Sequence, residues 1–124
     1  MVTTYTPAEA AERTGLSLDA LRYYEREELL PPIARTAGGR RVYCDDDLAW
    51  AGIITCLRDA GLGIADLREF TRLLRTEAPG RDSDERVAFL GRRRQELLER
   101  RRCLDAALTV LAEKIDYYSL QVAE

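Results

Sequence analysis

Arginine and tyrosine, set among glycines, are the residues of this 124-residue chain whose types and spacing suggest chemistry. Arg22, Tyr23 and Tyr24 are consecutive, and Arg35, Thr36, Gly38, Gly39, Arg40, Arg41 and Tyr43 follow closely. A guanidinium can hold a phosphate, or guanine O6 and N7, through paired hydrogen bonds. A tyrosine offers a ring for packing and a hydroxyl for phosphate oxygen. Residues 13–41 contain six Arg against four acids (Asp19, Glu25, Glu27, Glu28), and residues 33–43 contain three Arg and no acid. Overall the chain is slightly acidic, with 19 Lys and Arg, 22 Asp and Glu and a net charge of −3. A nucleic-acid-binding domain is often strongly basic throughout; here the positive charge is local.

Other chemistries are poorly supplied. There is no His, which removes His-based dyads, triads and metal ligands. No nucleophile–base pair or phosphate loop is apparent, so the sequence predicts neither an enzyme nor a cofactor site. The three cysteines, Cys44, Cys56 and Cys103, are odd in number, widely spaced and without a C-x-x-C pair. That is no secreted disulfide framework, and the expected compartment is the reducing cytoplasm. No apolar run approaches the ~18 residues of a membrane span, and Met1 to Tyr5 show no export signal.

These residues need a scaffold, and local signals predict one. Thr6-Pro7-Ala8-Glu9 begins a helix with an N-cap, a proline at its first position and a capping-box acid. Ala8, Ala11 and Leu16 are its expected apolar face, and Gly15 its C-cap. Ser17 caps a second helix, with Asp19 in the first turn and Leu18, Leu21 and one of the two tyrosines at apolar spacing. The pair reads as a helix-turn-helix, with the second helix expected to last until Pro31-Pro32. Short runs on either side of Ala37-Gly38-Gly39 read as a β-hairpin, which here would be a wing. A third helix is expected from the Asp45–Asp47 run to about Ala60. A fourth is expected from about Ile64 to Arg75, with Leu67, Phe70, Leu73 and Leu74 as its stripe.

Residues 76–83 (TEAPGRDS) read as a linker between a domain at 1–75 and a helix at 84–120. In that helix Leu90, Leu97, Leu104, Leu111 and Tyr118 recur every seventh residue, with Val87, Arg94, Arg101, Leu108, Ile115 and Val122 as companions. Heptad spacing over a rod of about 54 Å predicts a coiled coil with a second copy, and therefore a homodimer. The fold class is all-α with a small β wing. Arg22 is expected to reach base edges or phosphate, with Ser17 and Leu18 exposed beside it at the start of the recognition helix. One of Tyr23 and Tyr24 is expected to face the core and the other the DNA backbone. Arg35, Thr36, Gly39, Arg40, Arg41 and Tyr43 would serve phosphates from the wing.

The motifs Leu21-Arg22-Tyr23-Tyr24-Glu25-Arg26, Leu30-Pro31-Pro32 and Arg35 to Tyr43, followed by Ile53 to Leu62, resemble the MerR family of transcription regulators. The setting of Cys56 and the run Lys114-Ile115-Asp116-Tyr117-Tyr118 resemble its thiol-containing AdhR/NmlR-type branch. The resemblance implies a dimer on an inverted repeat in a promoter that bends and untwists the DNA, so acting on RNA polymerase indirectly. It also implies aldehyde, nitrosative or oxidative stress as a signal, with Cys56 as sensor and Cys44 as a second candidate. Family members commonly carry Asp, Ser or Thr where Cys44 stands. Metal-responsive relatives carry cysteines near the start of the long helix and beyond it. Asp82-Ser83-Asp84 and the tail from Ser119 supply none, so no metal is expected. With so short a tail, no separate drug-binding domain is expected.

Several alternatives stay open on the sequence alone. Cys56 could be a reactive thiol or a small packing residue, and Cys103 is expected to pack. The Arg92–Arg94 and Arg100–Arg102 runs read as solvated faces partnered by Glu96 and Glu99. The same fold without sensing would be an architectural DNA binder or a recombination accessory factor. A coiled-coil interaction module without a DNA role is the remoter alternative.

Overall fold

The computed structural model describes residues 3–74 and 83–123. Arg75 and the expected linker as far as Asp82 lie outside the described residues, and Ser83 already belongs to the last helix. The chain divides into two compact units, Met1–Pro79 and Gly80–Glu124.

The first unit contains β1 (Thr4–Tyr5), α1 (Pro7–Thr14), α2 (Leu18–Arg26), β2 (Ala34–Arg35), β3 (Arg41–Cys44), α3 (Asp45–Asp59) and α4 (Ile64–Leu74). Both caps of α1 form as the sequence requires. Thr6 Oγ1 accepts from the Glu9 amide at 3.2 Å, and the Glu9 carboxylate accepts from the Thr6 amide at 2.9 Å. Those hydrogen bonds to its charged form hold the Glu9 carboxyl below its ordinary pKa. Gly15 takes φ +74°, a conformation costly for a side-chain-bearing residue. The buried side chain of α1 is Ala10, whereas Ala8 of the expected face is exposed.

The wing is larger than a hairpin. β3 lies between β1 and β2, pairing Tyr5 with Tyr43 and Arg35 with Arg41, all antiparallel. β1 is too short for an alternation signal and has no counterpart among the sequence-based expectations. The Asp45–Asp47 run opens α3, where acids suit the helix dipole. Asp47 Oδ2 accepts from the Cys44 amide at 3.0 Å, reaching back across the first turn.

The core joins Leu21 and Tyr24 of α2 to Tyr5, Ala10, Leu29, Tyr43, Ala51, Ile54, Leu67 and Phe70. Trp50 stacks on Phe70 with ring centroids 5.3 Å apart. α2 ends at Arg26, earlier than the Pro31-Pro32 signal suggested. The Glu28 and Leu29 amides turn back to the carbonyls of Glu25 and Tyr24, a Schellman closure. Glu28 occupies the left-handed position of that closure, with φ +59°. Beyond it the Leu29 carbonyl accepts from Thr71 Oγ1 at 2.9 Å and from Trp50 Nε1 at 3.0 Å.

The second unit is α5 (Ser83–Ala123), one helix of 41 residues. Arg93 pairs with Glu96 at 3.0 Å and lies over the Phe89 ring, within the first of the expected Arg/Glu faces. Phe89, which lies off the heptad, is buried. The heptad side chains Leu104, Leu108, Leu111, Ile115 and Tyr118 are all more than half exposed, and Leu90 and Val122 are exposed as well.

Two stability outcomes follow from the way α2 ends. Glu28→Gly removes the left-handed penalty from an exposed side chain and raises the unfolding free energy by about 1 kcal/mol. Thr71→Val takes one of two donors from the buried Leu29 carbonyl and lowers the unfolding free energy by about 1 kcal/mol. Urea denaturation measures both.

Candidate nucleic-acid interface

The helix-turn-helix and the wing meet around a crevice of about 230 Å³. Pro7 of α1, Leu18 and Arg22 of α2, and Arg35, Gly39, Arg40, Arg41 and Tyr43 of the wing line it. Two independent local structures therefore bring four guanidinium groups to one concavity.

The four are not equivalent. Arg22 and Arg40 are exposed, and among the described residues no acidic partner stands against either. Arg35 Nη1 donates to the Gly39 carbonyl at 2.9 Å, which braces the turn and leaves its other donors for a ligand. Arg41 Nε donates to Glu25 Oε2 of α2 at 2.6 Å, in an ion pair with both side chains largely covered. Arg41 Nε is thus engaged by a carboxylate, which sets Arg41 apart from the other three.

The turn between the strands is closed by Thr36. Its amide donates to the Arg40 carbonyl at 2.8 Å, its carbonyl accepts from the Gly39 amide at 2.9 Å, and its Oγ1 accepts from the Arg40 amide at 3.2 Å. Gly39 adopts φ +83°, so its glycine is required by the turn itself. Thr36 and Gly39 shape the loop that presents Arg40.

On α2, Ser17 Oγ accepts from the Ala20 amide at 3.0 Å as N-cap, and its hydroxyl proton remains free to donate. Leu18 and Tyr23 are each about two-fifths exposed, and the Arg26 guanidinium lies 5.5 Å from the Tyr23 ring centroid. Tyr24 faces inward. Its hydroxyl lies 2.9 Å from Thr55 Oγ1, whose own proton goes to the Ala51 carbonyl, so Tyr24 is the donor. Of the two tyrosines, Tyr24 is therefore the one that faces the core, so it leaves the set of candidate DNA contacts. Tyr43 is corrected likewise, since it is buried beneath the crevice; desolvation and the Glu25 charge raise its pKa. Its own tyrosine identity gives no sign of which side of the wing it faces.

Of the three thiols, Cys56 and Cys103 are exposed in the single chain, and Cys44 is half-buried at the start of α3. Among the described residues no group of three or more His, Cys, Asp or Glu could hold a metal ion. No helix among them is long and apolar enough to cross a membrane. Glu25, which no local sequence signal singles out, proves central. Its partner is 16 positions away on another element, so no helical spacing could flag the pair.

Residues 5–74 match the family described as MerR HTH family regulatory protein. Over 92 residues the chain is 42% identical to the HTH-type transcriptional regulator AdhR of Bacillus subtilis, covering 74% of this chain and 64% of AdhR. It is 42% identical over 67 residues to an uncharacterised HTH-type regulator of Haemophilus influenzae, covering 54% of this chain and 50% of that one. The chain thus spans half to two thirds of these curated relatives. Among solved structures it is similar to HiNmlR, a MerR family regulator lacking the sensor domain and bound to promoter DNA. That likeness has a TM-score of 0.82 and 30% identity over 94% of this chain and 91% of HiNmlR. A Listeria monocytogenes protein assigned to the same family gives a TM-score of 0.85 and 37% identity over 93% of this chain and 86% of that one.

The chain belongs to the MerR family, in its AdhR/NmlR-type branch.

The two neighbouring tyrosines separate fold from contact. Tyr24→Phe lowers stability by about 1 kcal/mol through loss of the Thr55 hydrogen bond. Tyr23→Ala leaves the melting temperature essentially unchanged and weakens binding to duplex DNA, as measured by fluorescence anisotropy beside a thermal melt.

Proposed function

We propose that this chain works as a homodimer on an inverted-repeat promoter site, with α2 in the major groove and the wing on flanking phosphates. The observation that carries the reading is the shared crevice, where Arg22 and Arg40 stand exposed without acidic partners among the described residues and Arg35 keeps spare donors. Arg22, Ser17 and Leu18 face the bases; Tyr23, Arg35, Thr36 and Arg40 hold the backbone. Such phosphate contacts fix register and orientation, and base contacts add the sequence preference. Residues 1–75 form the DNA-binding part and residues 84–120 the dimerisation helix.

Dimerisation is supported by the stripe on α5. Leu90, Leu97, Leu104, Leu108, Leu111, Ile115 and Tyr118 repeat along one side, and most remain exposed in the single chain. A second stripe of the same kind would cover it by knobs-into-holes packing. Two linked reading heads then bend and untwist the promoter, at an elastic cost of about 1–6 kcal/mol that the added phosphate contacts offset. The effect on RNA polymerase is indirect, through the shape of the DNA.

Exposure supports Cys56 as the sensing thiol, ahead of half-buried Cys44. A thiolate adds to an aldehyde carbonyl, forming a carbon–sulfur bond while the oxygen takes up a proton. An inducing adduct must favour one of two dimer arrangements over the other.

Sedimentation at micromolar concentration should give a dimer that binds an inverted-repeat duplex. Arg40→Ala should weaken that binding and reduce the log–log salt slope by about 0.9 for each phosphate it ceases to neutralise. A monomer indifferent to the palindrome ends the reading. In a promoter assay, Cys56→Ser should abolish induction by formaldehyde or a nitrosothiol while basal DNA binding stays unchanged. Induction that survives the substitution would favour the architectural role.

A further inference from the structure

The Arg41–Glu25 ion pair joins the middle strand of the wing sheet to the recognition helix. β3 carries Arg41 and pairs it with Arg35 of β2, while Glu25 lies in the last turn of α2. Arg41 Nε approaches Glu25 Oε2 to 2.6 Å, with side chains 31% and 22% exposed. A carboxylate beside a would-be phosphate contact would repel the DNA, and a guanidinium committed to that carboxylate has little net charge left for phosphate. As a tether the arrangement makes sense. α2 and the wing must enter adjacent parts of one duplex, and a crevice of about 230 Å³ separates their exposed edges. A partly covered charge-assisted hydrogen bond with fixed geometry resists that change.

We propose that Arg41 and Glu25 are positioning residues: their ion pair sets the angle between wing and recognition helix, and Arg41 makes no phosphate contact. The pair therefore acts on selectivity. With the angle fixed, Arg40 and Arg22 meet phosphate and base edge together only on a duplex of matching shape. With the angle free, each can still find phosphate on any duplex. This inference rests on the DNA-binding reading above, and Arg40 serves as its internal reference.

The experiment measures binding of the full chain to an inverted-repeat operator and to a random duplex across a salt series, for unmodified protein and for Arg40→Ala, Arg41→Ala, Glu25→Ala and the Arg41→Ala/Glu25→Ala double variant. Arg40→Ala should lower the salt slope by about 0.9 for each phosphate left without its guanidinium. Arg41→Ala should weaken operator binding several-fold with the slope unaltered. Glu25→Ala should also reduce the ratio of operator to random affinity, although it removes a negative charge from the DNA-facing side. The double variant should lose no more selectivity than either single one, because each residue acts only through the other. A phosphate contact at Arg41 gives the opposite pattern: a slope lowered as far as Arg40→Ala lowers it, and a Glu25→Ala protein that binds operator more tightly with its selectivity intact. Either result overturns the tether. If Arg40→Ala leaves the slope unchanged, or the unmodified chain ignores the operator, the DNA-binding reading itself falls. Thermal melts accompany every variant. Glu25→Gln, which keeps an acceptor for Arg41 Nε, and Arg41→Lys replace any alanine variant that fails to fold, and partial recovery of selectivity is the result expected of them. No recovery in either conservative variant, with the fold intact, counts against the tether.

Discussion

The carbonyl oxygen of Leu29 holds the helix-turn-helix to the rest of its unit. It lies just past α2, released from helical pairing by the left-handed turn at Glu28, and it would be a costly orphan inside the core. Trp50 of α3 and Thr71 of α4 both donate to it, and Trp50 Nε1 lies 3.2 Å from Thr71 Oγ1 as well. One acceptor thus ties three elements at the buried end of the recognition helix. Tyr24 adds a second tie through Thr55. With its inner face so held, α2 presents Leu18, Arg22 and Tyr23 outward from a fixed base. The seat of α2 on the rest of its unit therefore rests on core hydrogen bonds as well as on apolar packing.

On that base the protein divides its arginines by task. Arg35 commits one donor to the wing turn, Arg41 is held by a carboxylate, and Arg22 and Arg40 stay available. Uniform exposure of four cations would strengthen attraction to any duplex, since the phosphate term is indifferent to sequence. The Glu25 carboxylate offsets the charge of one of them. A family whose members regulate transcription has reason to prefer shape over bulk charge, and the slightly acidic composition fits the same restraint.

α5 poses the reverse situation. Its polar residues find partners locally, as Arg93 does with Glu96, whereas its leucines and tyrosines stay in solvent over most of its length. A single helix cannot fold a stripe onto itself, so the apolar surface is complete only against something else. Cys56 sits on α3 among well-packed neighbours such as Ile54, yet faces outward itself.

The sequence by itself determined the local elements. Thr6-Pro7-x-Glu9, Ser17, Gly15 and the Gly38-Gly39 turn act over a few residues through caps and backbone sterics, so helix starts and the hairpin were legible. The helices expected at about 64–75 and 84–120 were legible from the spacing of their apolar residues. The joint appearance of Arg22-Tyr23-Tyr24 with the glycine wing also pointed to the family. Only the tertiary structure decided which tyrosine was core, that Ala10 rather than Ala8 was buried, that β1 completed the sheet, and that α2 stopped at Arg26. Those outcomes depend on partners tens of residues away, such as Trp50 for Leu29 and Cys44 for Thr4. The same holds for charge: a row of arginines looks alike in one dimension, and a carboxylate on α2 singles out Arg41 of the wing.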